Sequence, residues 1–252
     1  MKINYAETNK FLMDFINWDL RKKGEKNFFI ELLKKYNCKT VFNSALGDGY
    51  DTINLMKTGF QVISNEVDPT FREQAKQNAA QQGIKLENIL DYDWRAMPDS
   101  LSNSCDALIC LGNSIAYLMN RKDQLSALTN FYKILRPGGI AVIDTRNYDY
   151  MLDQREHILK DPLHNFSYSG KYYYGGDKIK GYPIIIEPKR VIMEYLHLDT
   201  GKKTHLELYP FRRKEFMRIM NDSGLKVIES YGDFNATKVE GADFYQIIGR
   251  KE

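Results

Sequence analysis

Residues 135–150 (LRPGGIAVIDTRNYDY) contain a sharp turn, a short apolar strand and a polar segment in direct succession. Proline fixes φ and glycine accepts the positive φ that other residues resist, so Pro137-Gly138-Gly139 predicts a turn. Residues 140–143 are apolar throughout, which is typical of a strand covered on both faces. In an open α/β sheet, ligands bind at the carboxyl ends of the strands. Arg146 and its neighbours are therefore predicted to lie at a binding site.

Alternating strands and helices extend from this stretch towards both ends of the chain. Apolar runs predict strands at 40–42, 60–64, 88–90 and 105–111, and helical spacing predicts helices at 24–35, 51–57 and 122–135. Asp68-Pro69 caps a further helix, which Gly83 ends. After a helix at 213–223, strands at 225–230 and 244–249 are expected to complete the sheet as an antiparallel pair. The pattern predicts a doubly wound, mostly parallel, seven-stranded α/β sheet.

The pattern changes between residues 166 and 209. Three consecutive strands, at 167–174, 184–198 and 204–209, are joined by glycine-containing turns without helices between them. They predict an antiparallel β insertion after strand five, on the substrate side of the sheet. We therefore expect an N-terminal lid or arm over residues 1–23, a core formed by 24–165 and 210–252, and the insertion at 166–209.

The composition is that of an ordinary globular protein. Hydrophobic residues make up 43% and charged residues 27%, and the net charge is only +3. A nucleic-acid partner is not expected, because it would require a concentrated basic surface. Three cysteines without a C-x-x-C pair predict reduced thiols and a cytoplasmic location, and no apolar run is long enough to imply a membrane partner. The four histidines lack ligand spacing, so no metal site is expected; a homo-oligomer is compatible with the sequence.

Small residues after the first strand and an acid after the second predict a nucleoside-binding site. The loop at 45–49 (ALGDG), with Gly47 as a predicted contact, leads into a helix whose first N–H groups lack helical partners. Glu66 follows the second strand, where a carboxylate can accept from both hydroxyls of a ribose. Asp93-Trp94, after the third strand, offers an acceptor and an aromatic surface for adenine. Dinucleotide dehydrogenases and S-adenosylmethionine enzymes both remain open. The missing third loop glycine and the late antiparallel pair favour a methyltransferase.

Two specific segments resemble a known enzyme family. Residues 110–118 (CLGNSIAYL) and 143–150 (IDTRNYDY), with RPGG at 136–139, resemble glycine N-methyltransferases and glycine/sarcosine N-methyltransferases. The similarity extends weakly from about Arg21 to the end of the chain. It implies a Rossmann-like methyltransferase core with S-adenosyl-L-methionine as cofactor and S-adenosyl-L-homocysteine as product. It implies cofactor contacts at Arg21, Ala45, Glu66, Asp93, Trp94 and Leu111, and catalytic contacts at Asn113, Arg146, Tyr174 and Tyr209.

The implied reaction is N-methylation of a small amino acid or amine, similar to glycine or sarcosine, by in-line methyl transfer. Because a sulfonium leaving group is already activated, the enzyme mainly has to align an uncharged amine with the methyl carbon. We hypothesise that Arg146 binds the acceptor carboxylate with paired hydrogen bonds and that Asn113 directs the amine. Tyr174 and Tyr209 would enclose the cationic product.

Three positions depart from the family pattern. Asn43 replaces an acid at the end of the first strand, Asp93 replaces an asparagine, and residues 235–238 lack a tyrosine. These departures leave a small amino compound as the expected partner but do not identify it as glycine.

Alternative interpretations remain for the acceptor and for Arg146. Another small acceptor is one alternative, and a hydroxyl would then need a base, for which Tyr209, His197 and His205 are candidates. Binding of the cofactor without catalysis is another. For Arg146, the alternative is a surface ion pair with Asp144 or Asp149.

Overall fold

The computed structural model describes residues 8, 11, 17–167, 178–235 and 241–252. Its strands are β1 (Thr40–Asn43), β2 (Gln61–Asn65), β3 (Ile89–Leu90), β4 (Cys105–Cys110), β5 (Leu135–Arg146), β6 (Ile179–Glu187), β7 (Arg190–His197), β8 (Lys203–Leu208), β9 (Leu225–Gly232) and β10 (Phe244–Lys251). Its α-helices are α1 (Trp18–Glu25), α2 (Phe28–Lys35), α3 (Tyr50–Lys57), α4 (Pro69–Gln81), α5 (Arg121–Ile134), α6 (Tyr148–Asp153), α7 (Arg155–Lys160), α8 (Pro162–Asn165) and α9 (Arg213–Asp222).

Seven strands form the main sheet, in the order β3-β2-β1-β4-β5-β10-β9. The strands β1 to β5 pair in parallel, whereas β10 is antiparallel to both β5 and β9. The predicted doubly wound sheet and its late antiparallel pair are confirmed. The strand order reverses between β1 and β4, and an open α/β sheet binds its ligands at such a switch point.

Alternating side chains of the central strands build one core on each face of this sheet. Val41 and Ile109 pack with Leu33 of α2 in one cluster. Their neighbours Phe42 and Leu108 pack in the other cluster, which includes α5 and the insertion. Burial on both faces explains why these strands are apolar without alternation.

The start of α4 follows the predicted capping chemistry. The Asp68 carboxylate accepts from the backbone N–H groups of Thr70 (2.7 Å) and Phe71 (3.3 Å), and Pro69 occupies the first turn. This arrangement satisfies N–H groups that a helix leaves without internal partners. It also fixes the direction in which the chain leaves the end of β2.

The insertion is an antiparallel three-stranded sheet with the order β6-β7-β8. The single strand predicted at 184–198 is wrong, because a turn at Pro188-Lys189 divides this stretch between β6 and β7, which pair through Glu187 and Arg190. Most of the strand predicted at 167–174 lies outside the described residues. Helices α6 to α8, between β5 and the insertion, were not predicted.

The helix predicted at 24–35 is also wrong in its extent. Lys26 and Asn27 adopt left-handed φ values of +48° and +62° and separate α1 from α2. This break lets α1 turn towards the end of β1 while α2 packs on the sheet. None of the helices within the described ranges has the length and apolar character that crossing a bilayer requires.

Candidate active site

A cavity of about 750 Å³ opens at the carboxyl ends of the parallel strands. Its walls come from the loops after β1 to β4, from the end of β5 and the start of β10, from α1, and from β7 and β8 of the insertion. Most ligand pockets have volumes of roughly 300–1,000 Å³, so this one has room for a nucleoside cofactor beside a small second molecule. The predicted site residues that line it are Arg21, Ala45, Gly47, Glu66, Asp93, Trp94, Leu111, Asn113 and Arg146.

The loop after β1 is held by the side chain of Asn43. Its Nδ2 donates to Thr52 Oγ1 (3.0 Å) and its Oδ1 accepts from the backbone N–H of Ala45 (3.2 Å). Gly47 and Gly49 have φ values of +56° and +95°, which other residues rarely adopt. Asn43 therefore stabilises the turn by which this backbone forms a wall of the cavity.

Glu66, at the end of β2, faces the same loop. Its carboxylate accepts from the backbone N–H groups of Gly47 (2.9 Å) and Asp68 (3.0 Å). Burial raises the pKa of this carboxyl, and the two backbone donors oppose the increase. Each oxygen keeps a further lone pair. The carboxylate can therefore accept from two adjacent hydroxyl groups of a ligand while it supports the loop.

Trp94 and Asp93 form the wall that follows β3. Trp94 Nε1 donates to the Ser44 carbonyl (2.8 Å), and its indole meets the ring of Phe131 edge-on at 5.7 Å. Asp93 is exposed and paired with Arg95, whose hydrogen bonds hold the pKa of the Asp93 carboxyl below its ordinary value. An ionised acceptor therefore stands next to an anchored aromatic side chain.

Helix α1 carries a cation to the rim of the cavity. Arg21 is 5% exposed, and its guanidinium contacts Glu25 (Nε to Oε1, 2.5 Å) and Asp51 (Nη2 to Oδ1, 2.7 Å). Trp18 Nε1 donates to Asp48 Oδ2 (2.6 Å) and ties the helix to the loop after β1. Carboxylates therefore orient Arg21 where it can meet an anionic group of a ligand.

Asn113 connects the loop after β4 to the end of β5. Its backbone N–H donates to Asp144 (2.8 Å), and its Oδ1 accepts from the backbone N–H of Arg146 (3.0 Å). Its Nδ2 donates to the hydroxyl of Tyr148 (2.9 Å). These bonds make Asn113 a brace for the backbone that carries Arg146, and they engage both side-chain polar atoms of the residue that was expected to direct the amine.

Arg146, the last residue of β5, is buried in the wall of the same cavity. It is 6% exposed, its Nη2 donates to the hydroxyl of Tyr195 (2.8 Å), and its guanidinium carbon lies 5.8 Å from the centre of the Phe244 ring. The surface position required by the alternative considered above does not hold for this buried side chain, and Asp149 accepts from Arg212 (3.2 Å).

The two predicted tyrosine contacts have different outcomes. Tyr209 is not among the residues that line the cavity. Its hydroxyl donates to Glu215 (2.8 Å), and its ring packs on Phe211 with centroids 4.7 Å apart. Tyr209 therefore packs and hydrogen-bonds at the start of α9, which contains Glu215, and not at the cavity. Tyr174 lies outside the described residues.

The histidines considered as bases also lie away from the cavity. Neither His197 nor His205 is among the described residues that line it. His205 Nε2 lies 3.0 Å from Glu194 Oε2 in the insertion sheet. Neither histidine is placed to take a proton from an acceptor in this cavity.

Tyr195 is one of the site residues that sequence reasoning missed, together with Leu206, Leu208 and Phe244. It lies on β7, is 1% exposed, and lines the cavity together with Leu206 and Leu208 of β8. Its partner Arg146 is 49 positions away along the chain. One tyrosine among many in a predicted strand carries no local signal for this contact, because the contact depends on how the insertion folds over the sheet.

Comparisons with known proteins agree with this architecture. A family model for a methyltransferase domain matches residues 41–139. The chain is 33% identical over 240 residues to a glycine/sarcosine N-methyltransferase of Halorhodospira halochloris, covering 95% of this chain and 85% of that protein. It is 32% identical to the one of Aphanothece halophytica, covering 95% and 86%. A solved S-adenosylmethionine-dependent methyltransferase from Clostridium acetobutylicum ATCC 824 shares the fold, with a TM-score of 0.71 at 18% identity over 90% of this chain and 91% of that one.

The cavity fits the cofactor of these enzymes. The Glu66 carboxylate suits the two hydroxyls of a ribose, and Asp93-Trp94 suits the amino group and face of adenine. The glycine loop permits close approach of its backbone. Extended similarity, fold and cavity lead to one conclusion: the chain belongs to the glycine/sarcosine N-methyltransferase family and is an S-adenosylmethionine-dependent methyltransferase.

Proposed function

We propose that this enzyme methylates the amino nitrogen of a small amino acid of the glycine or sarcosine type. The observation that carries the proposal is the buried guanidinium of Arg146, which lies in the same cavity as the cofactor loop. A planar guanidinium can hold a carboxylate with two parallel hydrogen bonds. The names of the similar enzymes, which act on glycine and sarcosine, agree with this assignment.

The residues around Arg146 limit the size and orientation of the acceptor. Leu206, Leu208 and Phe244 supply apolar walls, and Tyr195 supplies a hydroxyl beside the guanidinium. In this proposal Arg146 binds the acceptor carboxylate, and Asn113 keeps the end of β5 in position. A bound neutral amine is then directed towards the cofactor side by exclusion from the apolar walls.

On the cofactor side, we propose that Gly47, Glu66, Asp93, Trp94 and Leu111 bind the nucleoside and that Arg21 meets the carboxylate of the methionine part. The bound cofactor supplies an activated methyl group. The chain then has to align the acceptor and exclude water, for which no strong base is required. None of the described residues that line the cavity is a histidine. This agrees with an amine that loses its proton before it binds.

We also propose a division of roles among the parts of the chain. Residues 1–23 act as a lid or arm, which contacts the cofactor side through Trp18 and Arg21 and the insertion through Thr8. Residues 24–165 and 210–252 form the core, and the insertion at 166–209 serves the acceptor side through Tyr195, Leu206 and Leu208.

The test is a screen of glycine, sarcosine, dimethylglycine and other amino acids with isotopically labelled cofactor, in which product masses identify the acceptor and the number of methyl groups added. We expect Arg146→Leu to raise the KM for the acceptor by about 100-fold or more, because a bidentate charge-assisted contact is lost. Binding of S-adenosylhomocysteine, measured by calorimetry, should remain close to that of the unsubstituted enzyme.

Arg212→Leu is the matched control, since Arg212 is exposed and pairs with Asp149 and Asp153 outside the cavity. Its acceptor KM should not change. Equal kinetics for Arg146→Leu and the unsubstituted enzyme would overturn the carboxylate assignment. Cofactor binding without turnover of any amine or hydroxyl compound would overturn the proposed reaction and indicate a cofactor-binding protein.

A further inference from the structure

A glycine in the insertion sheet faces the ring of Tyr195. Gly181 on β6 is the cross-strand partner of Tyr195 on β7. A Cβ atom built on Gly181 would lie 2.7 Å from Cε1 and 2.9 Å from Cδ1 of the tyrosine ring. Ordinary contacts between carbon atoms are about 3.5–4.0 Å, so any larger residue at 181 displaces the ring by about 1 Å.

The backbone at Gly181 does not itself require glycine. The φ of Gly181 does not lie in the left-handed region that favours glycine. Glycine in the interior of a strand also weakens the strand, because it adds conformational entropy to the unfolded chain and offers no side chain for packing. The close approach of the Tyr195 ring is therefore the feature that accounts for glycine at this position.

Packed neighbours confine the ring except where Tyr195 borders the cavity. Tyr195 is 1% exposed and belongs to the apolar cluster that joins the insertion to the main sheet. Its other cross-strand neighbour is Thr204 on β8, whose hydroxyl lies 2.6 Å from that of Thr8. A side chain at 181 would therefore shift the tyrosine within a closely packed layer, and its hydroxyl would move with it.

We infer that Gly181 is a positioning residue for the acceptor: it lets the Tyr195 ring lie against β6, so that the hydroxyl meets Arg146 Nη2 at 2.8 Å. Gly181 does not line the cavity and acts only through the tyrosine. The inference rests on the proposed role of Arg146 in binding the acceptor carboxylate. A displacement of about 1 Å at such a site can cost about 100-fold in rate.

The experiment compares Gly181→Ala, Tyr195→Phe and the double variant with the unsubstituted enzyme. We expect Gly181→Ala to raise the acceptor KM by about 10- to 100-fold and to leave the affinity for S-adenosylhomocysteine within about twofold. Tyr195→Phe removes the hydroxyl that meets Arg146. In that background, Gly181→Ala should therefore add little to the acceptor KM, which is the coupling expected of residues that act as a unit.

Lys180→Ala is the matched control, because Lys180 is the exposed neighbour of Gly181 on β6. It should leave both constants unchanged. Multiplicative effects of Gly181→Ala and Tyr195→Phe on the acceptor KM, or no effect of Gly181→Ala, would overturn the inference. If the unsubstituted enzyme methylates no amino acid, the proposed function fails, and this result is distinct from normal turnover with an unaffected Gly181→Ala variant.

A second measurement covers the case in which Gly181→Ala does not fold. Tyr195→Ala removes the ring that an added methyl group would strike. The double variant Gly181→Ala/Tyr195→Ala should then fold with a melting temperature at least equal to that of Tyr195→Ala alone. If the double variant is also unfolded, the backbone and not the ring requires glycine, and the inference is wrong.

Discussion

Glu25 is a single residue at which burial and charge oppose each other. Burial raises the pKa of Glu25 to about 7, Arg21 acts to lower it, and Asp51 and Asp144 raise it further. In the unfolded chain the carboxyl titrates near its ordinary value of 4.5. Between these two values the folded state holds a proton that the unfolded state has lost, so stability falls as pH rises through this window.

Glu25→Gln should remove this contribution to the pH dependence of stability. In the unsubstituted protein, we expect the titration of Glu25 to lower the free energy of unfolding by about 1–3 kcal/mol between about pH 5 and about pH 8. Over the same pH range, the free energy of unfolding of Glu25→Gln should fall less than that of the unsubstituted protein, by this amount of about 1–3 kcal/mol. Urea unfolding without cofactor, followed by tryptophan fluorescence at several pH values, measures the difference.

Glu31→Gln provides the control for this measurement. Glu31 pairs with Lys34 on α2 and is exposed, so its ion pair contributes little to stability. The control should reproduce the pH dependence of the unsubstituted protein. The interpretation of Glu25 fails if Glu25→Gln also reproduces it.

At the scale of elements, the junction between the β1 loop and α3 depends on contact with α4. Gly49 has a φ of +95°, and a Cβ atom there would lie 3.1 Å from Cβ and 3.2 Å from Cα of Ala75. Gly59, just beyond α3, has a similar φ of +93° but no heavy atom within 4 Å of a built Cβ. The two glycines therefore separate the cost of backbone conformation from the cost of close packing.

We expect Gly59→Ala to cost about 1–2 kcal/mol of stability, from left-handed strain alone. Gly49→Ala should cost about 1–3 kcal/mol more, because it also crowds Ala75. Only Gly49→Ala should weaken the binding of S-adenosylhomocysteine, since it shifts the loop that carries Gly47. Chemical unfolding and calorimetry measure the two effects, and equal losses in both variants would contradict the packing argument.

The elements that could be predicted from the sequence are those with local signals. Apolar runs, the Asp68-Pro69 cap and glycines after helices led to the correct order of strands and helices in the core. The turn at Pro188-Lys189 escaped prediction, because apolar residues lie close on both sides of it and it lacks glycine. Helices α6 to α8 escaped as well, because they are short and gain their stability from packing rather than from pattern.

At the scale of the whole molecule, the sheet and its two apolar layers enclose the free thiols. Cys105 and Cys110 are fully buried, and Cys38 is 8% exposed. Burial raises the pKa of Cys38 and of Cys110 to about 12. A thiol reacts as its thiolate, so these groups are inert while the fold is intact.

The folded protein should therefore react very slowly with an aromatic disulfide reagent, and addition of denaturant should release the reactivity of all 3 cysteines. The absorbance of the released thiolate measures both reactions. Because reaction requires opening of the core, S-adenosylhomocysteine should slow it further by stabilising the folded state. Rapid modification of a full equivalent in the folded protein would contradict the burial of these thiols.

The sequence alone determined the order of the core elements, the edge of the sheet that carries the site, and nine of the residues that line the cavity. It could do so because each signal is local: a strand, the small or charged residues at its end, and the helix that follows. Glu66 and Arg146 lie in the cavity because the ends of parallel strands meet at one edge.

Only the tertiary structure decided how the acceptor end is completed. Tyr195 meets Arg146, whereas Tyr209, which lies beside the end of the insertion, turns to Glu215. Gly181 takes its importance from the ring on the neighbouring strand. The contacts of Tyr195 with Arg146 and with Gly181 join residues from separate sheets or strands. Packing between layers thus selects among chemically identical side chains in a way that no local pattern encodes.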